Sequence, residues 1–419
     1  MPPPWLIISL VVFGASMGTV AYLILLERKV ASWAQDRIGP NRVGPRGLLQ
    51  PIADGLKFFF KEDYQPAGVD RALFTLAPAI MMAVVIVAYA VIPWGGMVQT
   101  ESGRWAFQTA SLNIGVLFVI AVLSLSVYGI VLGGWASNNK YSFLGGLRAT
   151  AQMVSYEIPL ALSLLAVVVL FGTLDLGVIV EKQAHYWLGF IPAWNVFAQP
   201  VAFLMFLVCI HAEANRAPFD LSEAEQELVG GYHTEYSSMR FALFFLAEYA
   251  GMILTSAVCI ALFFGGWHLP WIEWLWPALA GNVDPNHPAV TTSILAAVAR
   301  SFIFYGKVVA VIFVFMWVRW SLPRFRFDQL IGLAWRGMIP IGLVLVMATA
   351  VLVYLWGPNG RPNMRVGGWM ALALLAANVA SVVAAMIAGQ LLPAPPPTNR
   401  RMAVDGSRFT RTPLPEGTS

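Results

Sequence analysis

Carboxylates where a membrane chain can least easily hold them are the feature most suggestive of chemistry. The segment Glu213 through Val229 (EANRAPFDLSEAEQELV) carries Glu213, Asp220, Glu223, Glu225 and Glu227 against one local cation, Arg216. Glu157 and Glu248 lie inside apolar stretches on either side of it, and Lys307 lies inside a third. An ionisable group in hydrocarbon is costly, about 2.5–3.5 kcal/mol for an acid at a span centre, so each must be neutral, paired or hydrated. Several carboxyls sharing one apolar setting gain and lose protons as a coupled set, which is what a proton route needs. Two bland readings compete. Ser222 with Glu225 is a capping-box pattern, and acids in a first helical turn favour the helix dipole. Lys307 could pair with Glu157 or Glu248 and tie two helices together. Capping accounts for one or two of the acids, and not for Glu213, Asp220 and Glu227 together with the intramembrane glutamates.

The elements that must hold these groups are membrane helices. The 419 residues are 58% hydrophobic and only 11% charged, against about 25% charged in ordinary soluble domains. Apolar runs of the roughly 20 residues that cross a bilayer recur along the chain. They predict nine spans near 5–26, 72–94, 112–133, 149–171, 196–214, 239–265, 300–320, 336–356 and 366–389, an all-α polytopic membrane protein. Glu27, Arg28 and Lys29 follow the first span where a signal peptide would show a small-residue cleavage site, so it is read as a retained helix. Most of the 26 basic residues fall after spans one, three, five, seven and nine. That bias puts the N-terminus outside and the C-terminus inside. The net charge of +4 reflects the same asymmetry and gives no sign of nucleic-acid binding.

Several chemistries are excluded by the residues themselves. Two cysteines, Cys209 and Cys259, allow neither a disulfide framework nor a four-cysteine metal site. Five scattered histidines form no ligand cluster. His211 and Glu213 mimic half of a zinc-deaminase signature, but no Pro-Cys-x-x-Cys follows. Neither a Gly-x-Gly-x-x-Gly nor a Walker loop is present. The chain shows no metal, nucleotide, flavin, haem or iron–sulfur site of its own.

The first inside loop is long and shaped. Two Gly-Pro pairs, at 39–40 and 44–45, break any helix. Leu48, Leu49, Ile52, Leu56, Phe59 and Phe60 then recur at helical spacing with polar residues mostly between them. This predicts an amphipathic helix lying in the membrane interface, with Pro51 in its first turn. It could be an anchor only, or a docking wall for a subunit or an amphipathic ligand. Pro159, two residues after Glu157, predicts a kink beside that acid. The chain thus divides into one helical membrane domain over 1–392, with an interfacial segment at 37–63 and an acidic loop at 213–237. A Pro/Arg-rich tail over 393–419 is expected to be disordered or laid along a partner or the inner leaflet. There is no internal repeat of the transporter kind.

These segments resemble one family. The motifs are Glu27-Arg28-Lys29, Gly39 through Lys57 (GPNRVGPRGLLQPIADGLK), Glu213 through Val229, Glu235-Tyr236, Phe244 through Tyr249 (FFLAEY) and Pro323 through Gln329 (PRFRFDQ). In that order they are similar to one membrane-subunit family of proton-pumping NADH:quinone oxidoreductase (respiratory complex I), the family whose members join the membrane and peripheral arms. The resemblance implies a part in a quinone cavity and in an acidic route coupling quinone reduction to proton translocation. By resemblance Glu157, Glu213, Asp220, Glu223, Glu225, Glu227, Glu248 and Lys307 fall on that route. Arg37, Arg46, Asp54, Arg216, Phe219, Arg300 and Arg319 fall near the quinone cavity or the peripheral-arm interface. It also implies ubiquinone or menaquinone as substrate, with FMN and iron–sulfur clusters on partner subunits. The partners implied are the peripheral quinone-module subunits, small membrane subunits and lipid, in a bacterial cell membrane or a mitochondrial inner membrane. Two other readings stay open: the related membrane subunit of an energy-converting hydrogenase, and a free-standing cation/proton antiporter. The outside loops at 172–195 and 267–299 and the long basic tail match no pattern of the family.

Overall fold

The computed structural model describes residues 4–100, 103–222, 225–279, 290–291, 293–356 and 366–391. The expected tail over 393–419 lies outside the described residues. In chain order the helices are α1 (Pro4–Ala34), α2 (Gln50–Phe60), α3 (Arg71–Tyr89), α4 (Gly115–Ser124), α5 (Ser126–Ala136), α6 (Lys140–Phe171), α7 (Leu176–Lys182) and α8 (Asn195–Ala198). They continue with α9 (Pro200–Glu213), α10 (Glu225–Leu228), α11 (Ser238–Phe263), α12 (Ile272–Leu275), α13 (Ile294–Ser321), α14 (Phe327–Gly332), α15 (Ile339–Trp356) and α16 (Gly368–Leu391). Among the described residues, eight helical stretches are long and apolar enough to cross a membrane, with α4–α5 and α14–α15 each counting as one. The remaining expected span, the fifth at 196–214, is the shorter apolar helix α9.

Local chemistry sets where these helices start and stop. Asp70 accepts from the backbone N–H groups of Ala72 and Leu73 at 3.1 and 3.2 Å and so caps α3. Asn139 caps α6 through Tyr141 N at 2.9 Å, and Ser293 caps α13 through Ala296 N at 3.3 Å. Each satisfies a donor that a helix start leaves orphaned. Gly172 ends α6 in the left-handed region, where it meets no Cβ penalty. Because of the Asn139 cap, α6 begins nine residues before the expected span and carries Lys140 and Arg148 beyond the apolar stretch. It stays helical through Pro159.

α11 is the central helix: 78% of its apolar window is buried, against 22% for α16 at the periphery. Its buried face packs with α1, α3, α9 and α13 around Tyr89, Phe206, Ile253, Phe263 and Phe304. α2 is different. None of its residues is buried, and Ile52, Leu56, Phe59 and Phe60 are exposed. That is the surface expected of a helix lying in a membrane interface. Short strands, absent from the sequence expectations, join the far ends of the helices. β1 (Met97–Thr100) pairs antiparallel with β2 (Gly103–Ala106) and parallel with β5 (Val290–Thr291), while β3 (Tyr186–Trp187) pairs with β4 (Ile191–Pro192).

The connection from α9 to α11 returns against the extended start of α6. Gly145 makes this approach possible. A Cβ there would sit 2.8 Å from the backbone of Gly231 and Tyr232. Gly145→Val should therefore cost about 1–3 kcal/mol through overpacking and lower the thermal unfolding midpoint of the purified protein. Gly306→Ala, whose Cβ would meet nothing within 4 Å, should leave the midpoint in place. Equal midpoints for the two variants would show that this close approach is not a constraint.

Candidate functional site

The site forms where the acidic connection meets three helices. α9 ends at Glu213, and Asn215 takes a left-handed φ of 48°, a conformation asparagine tolerates better than most residues. The turn that follows closes with Phe219 N donating to Arg216 O at 2.8 Å. It drives the Arg216 side chain inward between α1 and α11. Arg216 Nη1 lies 3.4 Å from Glu27 Oε1 of α1, and Arg216 Nε forms an ion pair with Glu248 Oε1 of α11. The guanidinium lies 4.3 Å from the Tyr249 ring centroid. Glu27 also accepts from Arg319 of α13 and from the Tyr249 hydroxyl.

Charge balance makes this arrangement tenable. The side chains of Glu27, Arg216 and Glu248 are all under 10% exposed, and an isolated ion at such a place would be expensive. Asp220 and Arg324, 3.0 Å apart, extend the cluster. Three carboxylates therefore face three guanidinium groups. Burial pushes the Asp220 carboxyl above its ordinary value, although Arg324, Arg319 and Arg216 all pull it down.

Cavities run through the cluster. An open inner chamber of about 730 Å³ is walled by Glu27, Arg28, Arg37, Arg42, Arg216 and Arg319, with Tyr249 and Trp320. Beside it an apolar space of about 230 Å³ opens between α1, α2 and α11, sharing Ile24 and Phe245 with the chamber. On the other side of Arg216, a cavity of about 50 Å³ touches Glu248, Glu213, Asn215, Tyr232 and Thr255. A further cavity of about 30 Å³ touches Glu213, Glu157, Tyr156 and Cys209. Glu213, Met153 and Leu123 wall both. The order is chamber, Glu27, Arg216, Glu248, Glu213, Glu157.

The sequence of this chain matches a known family. The family model described as NADH dehydrogenase matches residues 7–350. The chain belongs to the NADH dehydrogenase family. It is 48% identical over 350 residues to an NADH-quinone oxidoreductase H subunit of Cytophaga hutchinsonii, covering 84% of this chain and 96% of that relative. The H subunit of the same enzyme from Flavobacterium psychrophilum is 45% identical, with 84% and 97% covered. NADH-quinone oxidoreductase subunit 8 of Rhodothermus marinus is 43% identical, with 84% and 97% covered. With eight helices among the described residues able to cross a bilayer, this family member is a multi-pass membrane protein.

The residues expected from sequence divide into groups. Glu157, Glu213, Asp220, Glu248, Arg216 and Arg319 gather around the cluster and its two small cavities. Arg37 lies on the chamber wall, its Nε donating to Gln35 Oε1 at 2.7 Å. Asp54 borders the apolar space and pairs with Arg28 at 2.8 Å. Arg46 is exposed, and its carbonyl accepts from Lys29 at 2.9 Å. Phe219 is buried behind the cluster, packed on Tyr156 and Phe325. Glu227 is exposed and pairs with Arg148 at 2.5 Å. Glu223 and the side chain of Glu225 lie outside the described residues.

Two members of the family set lie elsewhere. Lys307 pairs with no carboxylate among the described contacts. Its ammonium donates to the carbonyls of Phe264, Gly266 and His268 at 2.8, 2.8 and 2.6 Å and sits 4.7 Å from the Trp194 ring centroid. Arg300 precedes Arg319 by 19 residues on the continuous helix α13, about 28 Å of helix rise. It is therefore at the opposite end of the bundle. The sequence reading also passed over Glu27, Tyr249 and Arg324 as site residues. Glu27 differs from Glu157 and Glu248, which lie inside apolar stretches, because it ends one. Its neighbours Arg28 and Lys29 made it look like a membrane-flanking charge.

Removing Glu27 leaves two arginines short of a partner. Glu27→Leu should cost about 3–5 kcal/mol, as for breaking a buried pair. Asp54→Ala should cost no more than about 1 kcal/mol, because the Arg28–Asp54 pair is exposed. Thermal unfolding of the two variants in one detergent compares them directly, and similar losses would contradict the assignment. Burial also holds His233, in the turn before α11, down to about 4 against its ordinary 6.5. Its contribution to stability is complete above pH 6.5 and is lost as pH falls toward 4, because the unfolded state binds the proton first. His233→Asn should flatten that limb of the unfolding midpoint against pH.

Proposed function

We propose that this chain is the quinone-handling membrane subunit of a proton-translocating NADH:quinone oxidoreductase, and that its carboxylate series couples quinone reduction to proton movement. The observation that carries the reading is the shared wall at Glu213. One carboxylate borders both small cavities and joins Glu157 to the Glu248–Arg216–Glu27 cluster. The names of the relatives supply the redox partners, NADH and a quinone. They favour this reading over a hydrogenase membrane subunit or a free-standing antiporter.

The substrate is an isoprenoid quinone, ubiquinone or menaquinone. Its apolar tail suits the space between α1, α2 and α11, which is lined by Leu25, Phe58, Phe59, Met239 and Leu246 and opens beside the exposed apolar face of α2. Its polar head then faces the arginine-rich chamber. Electrons come from FMN and iron–sulfur clusters on partner subunits docked at the inner face of the cell membrane. Reduction of a quinone to a quinol takes two electrons and two protons. Negative charge developing on the head competes with Glu27 and Glu248 for the guanidinium groups of Arg216 and Arg319. An arginine drawn toward the chamber leaves its carboxylate short of compensation, and a proton entering the series restores the balance. Glu213 passes the change on to Glu157 across the two cavities.

Two measurements test this on the intact complex. Glu213→Gln should lower quinone-linked NADH oxidation about tenfold or more, as expected for loss of a proton-transfer group. The number of protons moved per electron should fall with it, while NADH oxidation by a soluble acceptor stays unchanged. An unaltered proton stoichiometry would remove Glu213 from the route. Gly55→Phe places a ring in the apolar space, where a Cβ meets nothing within 4 Å. It should raise KM for a long-tailed quinone far more than for a short-tailed analogue. Equal KM values for the two quinones would place the access route elsewhere.

A further inference from the structure

We infer that Gln152 of α6 is a positioning residue that sets the places of Glu213, Arg216 and Asp220 together. The inference rests on the proposed role of the carboxylate series. Gln152 is fully buried. Its two Nε2 hydrogens donate to Ala212 O at 2.7 Å and Phe219 O at 2.8 Å, and Asn215 Oδ1, 3.2 Å away, shares one of them. Each acceptor belongs to the residue immediately before an ionisable group of the site: Ala212 before Glu213, Asn215 before Arg216, Phe219 before Asp220. One side-chain amide therefore fixes the chain at the three points from which the three charged side chains depart.

The chemistry of the contact sets which end of the amide points inward. Two acceptors are backbone carbonyls, so the atom between them must be the donor nitrogen. An apolar residue could fill the same volume without the cost of burying an amide. Retaining the amide makes sense where its N–H groups are used, and here they close both sides of the Arg216 turn. Gln152 adjoins Met153, which walls both small cavities, and stands five residues before Glu157 on the same helix. The helix that carries one end of the carboxylate series thus also grips the loop that carries its middle.

Two substitutions separate positioning from packing. Gln152→Leu keeps the volume and removes both donors. Gln152→Glu keeps the shape, but only its protonated form has an O–H to give, and its ionised form faces the carbonyl oxygens unfavourably. Donation in this variant is therefore present at low pH and lost as pH rises. We would follow hydrogen exchange of residues 212–222 in the intact complex. Quinone-linked and soluble-acceptor NADH oxidation would be measured from acid to alkaline pH, with Glu213→Gln alongside.

The expected result for Gln152→Leu is exchange roughly tenfold or more faster in this segment, from loss of two buried hydrogen bonds. Its kcat for quinone should fall at unchanged KM, with soluble-acceptor activity retained. Gln152→Glu should recover protection and quinone turnover on acidification, a rescue that wild type does not show. Should Gln152→Leu fail to assemble, the pH-dependent rescue of Gln152→Glu decides the matter. Wild-type exchange and turnover in both Gln152 variants, beside an impaired Glu213→Gln, would overturn the positioning role and leave the proposed function standing. Normal turnover in all three variants would overturn both.

Discussion

A guanidinium buried between two carboxylates is the constraint on which this structure turns. Arg216 is compensated by Glu27 and Glu248, Glu248 by Arg216, and Glu27 by Arg216 and Arg319 together. Their side chains come from a loop, from α1 and from α11, and Arg319 brings in α13. Local sequence preference alone would not bring these four segments to one point. Helix ends meet there because the charges must be paired, and the chamber lies open beside them because the cluster stands at its wall. The same pairing makes the site responsive, since any anion entering the chamber draws on the compensation that holds the cluster together.

The two ends of the bundle handle buried polarity differently. At the far end, Lys307 and Lys182 donate hydrogen bonds to backbone carbonyls, Lys182 to Phe171 O at 2.7 Å at the end of α6. Gln183 donates to Ala261 O and accepts from the N–H groups of Asn195 and Gly265. These groups satisfy helix ends and hold loops against α11, as cations near helix C-termini commonly do. At the chamber end, charges pair with charges and border cavities. Its backbone contacts set Lys307 apart from the carboxylate series, although both lie within apolar helices, while the far end keeps a buried pair of its own, His268 with Glu181 at 3.1 Å.

Much of the scaffold was legible in the sequence, because hydrocarbon thickness imposes a length and composition that windows of apolar residues reveal. The interfacial helix was legible too, from apolar residues at helical spacing after two Gly-Pro breaks. The limits were physical. The expected start of α6 fell at 149 because Arg148 and Lys140 look like a membrane edge, whereas the Asn139 cap and the pairing of Arg148 with Glu227 carry the helix further. The short strands at the far end depend on partners nearly 200 residues apart, such as Met97 and Val290. The acids themselves stood out by residue type. Their order did not, because it is set by contacts such as that of Glu27 with Arg319, 292 residues away. Family resemblance supplied a quinone, which no residue of this chain names.

Infrared difference spectroscopy of the intact complex, taken between its oxidised and reduced quinone states, addresses the central claim directly. If the series from Glu27 to Glu157 changes protonation when the quinone is reduced, carboxyl C=O bands should shift on reduction. Those shifts should be lost or displaced in Glu213→Gln, the variant that interrupts the wall shared by the two cavities. Carboxyl bands indifferent to the quinone's redox state, or identical in wild type and variant, would contradict the account.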